Sequence, residues 1–515
     1  MSSGSDSAIL ACDLGTTGAK VSVVSHEGRI LASRYSRYAT YYPSPNHVEQ
    51  SPQEWIAAFV DGTREVLGKA QVASGQIAAV AFSGHMQGCV PVDAAGAPLT
   101  ERAMLWADRR SLQEADHVMQ RFGWDRFYRL TGAGLEVALY PIAKIRWLRT
   151  HEPILYRNTA KFLGTKDVVC AWLTGRSATD PSEASDTAMF DILERRWASD
   201  LLAEAGIDES KLPEVLPSET VVGSVLPEAA SQCGLLEGTP VVLGAGDVGC
   251  AALGAGVISE GEAYCCLGSA SWVSLASRTP LTDPETRPFV LCHAAPGMYV
   301  AQLATYSAGV VIEWLLDRIA SFSDADGVST VPPMDYDRLM ELAESSNPGA
   351  DGLVFLPHLR PGGAPAYDPE DCGLLHGLRL SHTSADVVRA VVEGVTFSLR
   401  DLVYTFPAER VAAVPSLRLI GGGANSPFWA QLIADVIGKS VEVLQVRQEA
   451  NTLGAAIVGM VATGIYDDYA AAIAACVRSG QTARPDPERS SAFARSVDRY
   501  RRLNELSRSI RASLP

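Results

Sequence analysis

The stretch AILACDLGTTGAKVSVV, from Ala8 to Val24, gives the strongest indication of the fold class of this chain. Its opening residues are apolar and predict a buried strand, residues 20–25 predict a second strand, and DLGTTG forms a tight turn between them. Residues 261–277, GEAYCCLGSASWVSLAS, repeat the order of strand, glycine–hydroxyl turn and strand about half a chain later. Because both copies carry Leu-Gly followed by a hydroxyl residue, we predict a duplicated α/β fold with a cleft between its halves.

The length of the chain also indicates more than one domain. A sequence of 515 residues exceeds what a single hydrophobic core usually holds, because domains typically contain about 100–200 residues. We therefore place an N-terminal domain at residues 8–250 and a C-terminal domain at residues 251–515.

Charge and cysteine content narrow the function classes. The formal net charge of −16 and a pI near 5.1 repel phosphate backbones and anionic lipids, so we expect no nucleic-acid partner and no membrane partner. Ten cysteines are present, none in a C-x-x-C pair, and most lie in apolar stretches as buried thiols do. This usage is typical of a reducing compartment, so we expect a cytoplasmic protein.

Residues 241–256, VVLGAGDVGCAALGAG, contain the G-x-G-x-x-G pattern of dinucleotide-binding folds. That function requires a long helix after the glycines and an acid that ends the next strand. Here the following helix is short and glycine-broken, and Glu260 and Glu262 precede the next strand, so the context argues against nicotinamide binding. Asp247 between the second and third glycines becomes the residue of interest, either as a general base or as a turn former.

The remaining glycine turns are suited to phosphate. Backbone N–H groups in such turns approach phosphate oxygens closely, hydroxyls add donors, and a neighbouring carboxylate can hold Mg²⁺. The candidates are Asp13 for the metal, and Gly15, Thr16, Thr17, Gly268 and Ser269 for phosphate. Ordinary hairpin-turn chemistry, with Asp13 as an Asx turn, is the alternative. Lys20 either reaches phosphate or flanks the strand.

Two longer stretches resemble the signatures of the FGGY family of carbohydrate kinases. Residues 139–151, LYPIAKIRWLRTH, are similar to the first signature, and residues 373–393, GLLHGLRLSHTSADVVRAVVE, to the second. Phrases such as VEQSPQEW at 48–55, LWADRR at 105–110 and FLPHL at 355–359 resemble the xylulokinase branch. With DLGTTG, GAGD and GGGANS in the expected order, the resemblance covers essentially the whole chain.

This resemblance implies a fold, a reaction and a general base. The fold would be two actin-like (ribonuclease H-like) α/β domains with an interdomain catalytic cleft. The reaction would be ATP- and Mg²⁺-dependent phosphorylation of a small sugar or polyol, with D-xylulose converted to D-xylulose 5-phosphate as the leading expectation. Asp247 matches the family's general base and would also contact the sugar.

The same resemblance suggests a sugar loop at His85, Met86 and Gln87. Family members of this branch commonly read Gln-Met-His-Gly here, whereas this chain reads His-Met-Gln-Gly, so different sugar hydroxyls would be recognised. Trp106 and Asp108 are further sugar-site candidates, with a core tryptophan and an ion pair as the alternatives. A second departure is RPGGAPAYDP at 360–369, which lacks the glutamate common in the branch.

Gly422, Gly423 and Asn425 are the candidates for adenosine binding, and they also suit a strand-to-helix turn with a capping residue. Two other functions stay open. One is a kinase for ribulose, L-xylulose, erythritol or glycerol. The other is an actin-like ATPase or chaperone without sugar kinase activity. For assembly we expect a homodimer.

Overall fold

The computed structural model describes residues 7–70, 72–319, 334–360, 363 and 370–513. Two compact units are present, and they are interleaved along the chain. The first unit comprises residues 1–260, 276–301 and 449–478, and the second comprises residues 261–275, 302–448 and 479–515. The predicted domains at 8–250 and 251–515 are sequential instead, and that division stays a prediction.

The first unit is built on a six-stranded mixed sheet. Its strands are β1 (Ala8–Leu14), β2 (Gly18–Ser25), β3 (Ile30–Arg37), β4 (Ile77–Gly84), β5 (Val221–Ser224) and β6 (Pro240–Gly246). Their order is β5-β6-β4-β1-β2-β3. β1 pairs antiparallel with β2 and parallel with β4, and β4 pairs parallel with β6. β1, β4 and β6 are nearly continuous apolar runs, as strands covered on both faces require.

Helices surround this sheet and extend the first unit. They are α1 (Pro52–Ala70), α2 (Leu112–Phe122), α3 (Trp124–Thr131), α4 (Pro141–His151), α5 (Pro153–Asn158), α6 (Thr165–Thr174), α7 (Pro181–Ser185), α8 (Ser199–Ala205), α9 (Pro227–Cys233) and α10 (Asp247–Gly254). One apolar core lies between the sheet, α1 and α6, and a second is formed mainly by α2, α3, α4 and α8.

The second unit repeats the start of the first. β7 (Ala263–Leu267) and β8 (Ser271–Ser277) form an antiparallel hairpin, and β7 pairs parallel with β9 (Ser416–Ile420). β10 (Ser440–Leu444) pairs parallel with β9, and β11 (Ser479–Ala483) closes this side antiparallel. The hairpin followed by a parallel partner is the arrangement of β1, β2 and β4, as the sequence repeat predicts.

The helices that follow in the chain complete the two units. Those of the second unit are α11 (Gly309–Trp314), α12 (Tyr336–Ser345), α13 (Ser384–Thr405), α14 (Ala408–Ala413), α15 (Pro427–Ile437) and α18 (Pro487–Ser513). α16 (Ala450–Ala462) and α17 (Tyr469–Cys476) belong to the first unit. The sheet that contains β7 to β11 has seven strands, and its other two are Phe289–Cys292 and Tyr299–Thr305. The remaining strands pair in two-stranded sheets: Glu49–Gln50, Val90–Val92, Ala103–Met104, Lys161–Leu163, Ala178–Thr179, Phe190–Asp191, Arg196–Trp197, Glu214–Val215, Val354–Leu356 and Leu374–His376.

Candidate active site

Three parallel strands of the first unit end at one edge of its sheet. Asp13 on β1 is in register with Ser83 on β4, and Gly246 on β6 is in register with the last residue of β4. The residues directly after β4 and β6, namely 85–87 and Asp247, therefore leave the sheet beside Asp13. In open α/β sheets the carboxyl ends of the strands are where ligands bind.

Asp247 is the first residue of α10 and is half-buried. Burial, together with the negative charge of Asp13, raises the pKa of its carboxyl to about 7, although a hydrogen bond from the Val248 backbone opposes the shift. A carboxylate whose pKa lies near neutral pH is suited to accept a proton from a hydroxyl group and release it again.

Asp13 lies next to the end of β1 and is also half-buried. Its Oδ1 accepts a hydrogen bond of 2.7 Å from the Ser83 hydroxyl, and the Asn451 side chain donates a second. Burial is the main reason that the Asp13 pKa is raised, and both hydrogen bonds reduce that rise. Asn451 lies in the first turn of α16, and no sequence pattern links it to residue 13, so sequence reasoning missed it.

Lys20 pairs with Glu449, the residue directly before α16. Its Nζ lies 3.5 Å from the Glu449 carboxylate, and its charge lowers the pKa of Asp13. The cation is thus held beside the proposed phosphate loop, which is compatible with either of its two predicted roles.

The turn between β1 and β2 is fixed by hydrogen bonds. Gly15 N–H donates to the Gly18 carbonyl at 3.1 Å, and the Tyr38 hydroxyl donates to the Gly15 carbonyl. The Thr17 hydroxyl lies 2.7 Å from the Tyr35 hydroxyl and is exposed. This geometry satisfies a hairpin turn, so the predicted phosphate contacts of the turn stay predictions.

Thr16 is held by residues of two other predicted motifs. The fully buried Gln50 donates to its carbonyl at 2.7 Å, and Trp55 donates to Gln50 at 2.9 Å. Trp106 is exposed, and its Nε1 lies 3.2 Å from the Thr16 hydroxyl. The VEQSPQEW motif therefore supports the turn, while Trp106 lies beside it at the surface.

Asp108 has a structural environment. It is fully buried, and its carboxylate accepts hydrogen bonds from the Val48 backbone and from the Arg110 guanidinium at 2.6–3.1 Å. Arg110 also pairs with Glu49 at 2.6 Å. These contacts favour the ion-pair role, and the sugar role of Asp108 stays a prediction.

His85 points into the core of the first unit. Its ring lies edge-on to Trp55, with 5.6 Å between the ring centroids, and contacts the Thr165 hydroxyl at 3.2 Å. Burial lowers the pKa of His85 to about 4, so its imidazole is neutral at pH 7. The structure thus gives His85 a packing role, and its predicted sugar contact stays untested.

Gln87 is held at the sheet edge in an unusual backbone conformation. Its φ of +61° lies in the left-handed region that non-glycine residues rarely adopt. Lys144, from the first signature, donates to its carbonyl at 2.9 Å, and burial lowers the pKa of Lys144 to about 8. The Gln87 amide donates to Asp186 Oδ1 at 2.9 Å.

Met86, the neighbouring residue of the loop, packs on Gly246. An added Cβ at Gly246 would overlap the Met86 sulfur.

Asp186 was not among the residues predicted from the sequence. It is buried at the end of α7, and its pKa is raised well above the usual range by burial and by the charge of Asp247. Asp186 lies in the stretch EASDT at residues 183–187, where no pattern singles it out. The structure brings it beside the proposed base.

A buried ionic network lies behind this edge. Lys166 contacts Asp167 at 2.6 Å and Asp180 at 3.0 Å, and all three side chains are fully buried. Ser182 donates to Asp180 at 2.6 Å and accepts the Gly246 N–H at 2.9 Å. The network thereby fixes the residue that precedes Asp247.

In the second unit, Gly268 and Ser269 form the turn between β7 and β8. Gly268 N–H donates to the Ala270 carbonyl at 3.1 Å, and Gly309 N–H donates to the Gly268 carbonyl at 2.9 Å. The Ser269 hydroxyl lies 3.5 Å from Glu313. The turn thus contacts the start of α11, and its phosphate role stays a prediction.

Gly422, Gly423 and Asn425 lie in a short turn between β9 and α15. Ser426 caps α15, which confirms that the segment is a strand-to-helix turn. The Asn425 side chain accepts a hydrogen bond of 2.6 Å from Arg447, a residue that sequence reasoning missed. The adenosine role is compatible with this turn and stays a prediction.

Residues 360–369, which lack the glutamate common in the xylulokinase branch, lie mostly outside the described residues.

Within the parts of the chain that the structure describes, no group of three or more His, Cys, Asp or Glu side chains could hold a metal ion. In the same parts, no helix is long and apolar enough to cross a membrane.

The comparisons with known proteins define the class of the chain. Residues 8–254 match the N-terminal domain of the FGGY family of carbohydrate kinases, and residues 263–463 match its C-terminal domain. The chain therefore belongs to the FGGY family of carbohydrate kinases, and the predicted fold class of two actin-like α/β domains is confirmed.

The relatives are named after two different substrates, xylulose and gluconate. The chain is 27% identical over 502 residues to a xylulose kinase of Bacillus subtilis (strain 168), covering 98% of this chain and 96% of that protein. It is 30% identical over 462 residues to a gluconokinase of Bacillus licheniformis, covering 90% and 88%. The crystal structure of a xylulose kinase from Rhodospirillum rubrum superposes with a TM-score of 0.85 at 26% identity, covering 98% and 99%.

Proposed function

We propose that this carbohydrate kinase transfers the γ-phosphoryl group of ATP to a hydroxyl group of D-xylulose, giving D-xylulose 5-phosphate and ADP. The observation that carries the proposal is the position of Asp247. It begins α10 beside Asp13, at the edge where three parallel strands end. Membership in the family and the xylulose kinase relatives support the choice of reaction and sugar.

The proposed reaction transfers one proton and replaces one bond to the γ-phosphorus by another. Asp247 accepts the proton of the sugar hydroxyl while the hydroxyl oxygen forms a bond to the γ-phosphorus. The bond between that phosphorus and the bridging oxygen breaks, and ADP leaves with the electron pair. The remaining work is positioning, for which the backbone amides of the Gly15–Thr17 turn are candidates.

The donor set fits magnesium carried by the nucleotide. Mg²⁺ usually keeps several waters and is bound by one or two carboxylates plus substrate phosphates. Asp13 provides one such carboxylate, with Ser83 and Asn451 fixing its orientation. When bound there, Mg²⁺ would neutralise phosphate charge.

The proposal extends to the second unit. Gly268 and Ser269 are proposed to contact phosphate, and Gly422, Gly423 and Asn425 to contact adenosine. The supporting observation is that the β7–β8 turn is equivalent to the β1–β2 turn. Each turn connects two antiparallel strands, and the first strand of each pair also has a parallel partner.

Gluconate is the second candidate substrate, because a gluconokinase is among the relatives at 30% identity. Ribulose, L-xylulose, erythritol and glycerol stay open as well. An ATPase without sugar kinase activity would hydrolyse ATP at the same rate with and without every sugar.

A coupled ADP-release assay with Mg-ATP tests the proposal. The panel contains D-xylulose, L-xylulose, D-ribulose, L-ribulose, xylitol, erythritol, glycerol and D-gluconate. We expect selective turnover of D-xylulose, with the product identified as the 5-phosphate by NMR. Selective turnover of another sugar would overturn the substrate, and sugar-independent ATP hydrolysis would overturn the kinase reaction.

A further inference from the structure

We propose that Asp186, oriented by Gln87, determines sugar specificity by binding a hydroxyl group of a neutral ketose or polyol and by disfavouring sugar acids such as gluconate. The inference rests on the kinase function proposed above. It adds a residue that neither the sequence patterns nor the family match assigns.

The position of Asp186 follows from α7. Ser182, in the first turn of this helix, accepts a hydrogen bond of 2.9 Å from the N–H of Gly246, the residue before the proposed base. Asp186 directly follows the last residue of α7. Its carboxyl lies near enough to Asp247, the first residue of α10, for the two charges to interact.

The orientation of Asp186 follows from Gln87. The Gln87 amide donates to Asp186 Oδ1 at 2.9 Å, and both side chains are buried. The Gln87 backbone is held at a φ of +61°, and its carbonyl accepts a hydrogen bond from Lys144 at 2.9 Å. Strained backbone of this kind persists where surrounding contacts hold it, often at ligand sites. Because the Gln87 amide holds one carboxyl oxygen of Asp186, the Asp186 side chain is preorganised to bind a hydroxyl group of the sugar.

The surrounding charges disfavour an anionic substrate. Asp247 follows the strand end beside Asp13, and the buried Asp186 lies near Asp247, so acidic side chains gather at this edge. A carboxylate on the sugar would meet these acidic side chains at close range, and like charges repel. The nearby cations are already engaged, since Lys144 donates to two backbone carbonyls and Lys20 pairs with Glu449. A neutral sugar brings hydroxyl groups and no charge.

The test compares the wild type with Asp186→Asn, Asp186→Ala and the control Asp116→Asn. Asp116 is an exposed aspartate on α2. ADP release is measured with D-xylulose, xylitol and D-gluconate, and binding of each sugar without ATP is measured by calorimetry. We expect wild-type and control enzymes to discriminate against gluconate. In Asp186→Asn, we expect KM for the neutral sugar to rise about tenfold or more, with a much smaller change in kcat.

The outcomes separate the two proposals. If no sugar is phosphorylated, the kinase function fails. The inference is then judged by calorimetry alone, where Asp186→Asn should weaken neutral-sugar binding and Asp116→Asn should not. The inference is overturned if wild type binds gluconate as tightly as the neutral sugars, if no sugar binds, or if Asp186→Asn leaves KM and the gluconate ratio unchanged.

Discussion

At the scale of single residues, the candidate site consists of carboxyl groups placed where burial works against their charge. Besides burial, the charge of Asp13 raises the pKa of Asp247, and the charge of Asp247 raises the pKa of Asp186. Asp247 is thereby suited to accept a proton near neutral pH.

Replacing Asp247 with Asn removes the proposed base and keeps the side-chain volume. We expect turnover to fall by about 10²–10⁴-fold, the usual contribution of a general base, with ATP binding retained. Steady-state kinetics and nucleotide calorimetry measure the two effects. The conservative Asp116→Asn variant on α2 controls for loss of a surface charge. Turnover like that of wild type in Asp247→Asn would remove this residue from the mechanism.

The pH dependence follows from the same residue. Because burial and Asp13 raise the pKa of Asp247 to about 7, the base form is lost as the pH falls below that value. We expect kcat/KM with the preferred sugar to fall about tenfold per pH unit on the acid side, since this ratio reports the free enzyme. An acid limb near pH 4, the ordinary range for aspartate, would contradict the raised pKa.

At the scale of elements, two helices position two side chains of the candidate site, Asp247 and Asn451. α10 begins at Asp247, and α16 carries Asn451 in its first turn. The helices pack at glycines, because a Cβ on Gly254 would overlap the Ala450 carbonyl and a Cβ on Gly454 would overlap the Cys250 carbonyl. Such close backbone packing fixes the start of each helix relative to the other.

Gly454→Ala tests this packing. We expect the free energy of unfolding to fall by about 1–3 kcal/mol, as for other overpacked cores, and kcat to fall because α10 must shift. Denaturant unfolding and steady-state kinetics measure the two effects. Gly68→Ala on α1 is the matched control, since its added Cβ meets nothing within 4 Å. We expect that substitution to stabilise the protein by roughly 0.5–1 kcal/mol. Equal stability of both variants would contradict the close packing.

At the scale of the whole molecule, the repeated hairpin gives each unit a comparable start, and the chain returns to the first unit with α16 and α17. Most of the cysteines are buried in the interiors of these units. All ten are free thiols, nine are buried, and Cys372 is exposed. The predicted homodimer and cytoplasmic location stay predictions.

Thiol titration tests the cysteine distribution. We expect Ellman's reagent to react rapidly with about one thiol in the native protein, because burial excludes the reagent from the others. All ten should react after denaturation without reductant. Cys372→Ser should abolish the rapid phase and leave the denatured count one lower. Several rapidly reacting thiols, or fewer than ten on denaturation, would contradict the structure.

Much of the candidate site could be read from local pattern. Apolar runs that end at Asp13 and just before Asp247 predict strands, and the structure has them: Asp13 is one residue from the end of β1, and β6 ends directly before Asp247, where α10 begins. The surroundings of His85 could not be predicted in this way. A histidine after a buried strand is equally suited to solvent and to the core, and contact with Trp55 decides for the core.

Local patterns along the chain were sufficient to predict the family, the repeated hairpin and the residues at which strands end, because these depend on sequence neighbours. The side chains that meet at the site could be identified from the folded structure alone. Gln87 reaches Asp186 across 99 residues, and Asn451 reaches Asp13 from α16. Such contacts depend on sheet register and helix packing. These bring distant segments together and leave no periodic signal in the sequence.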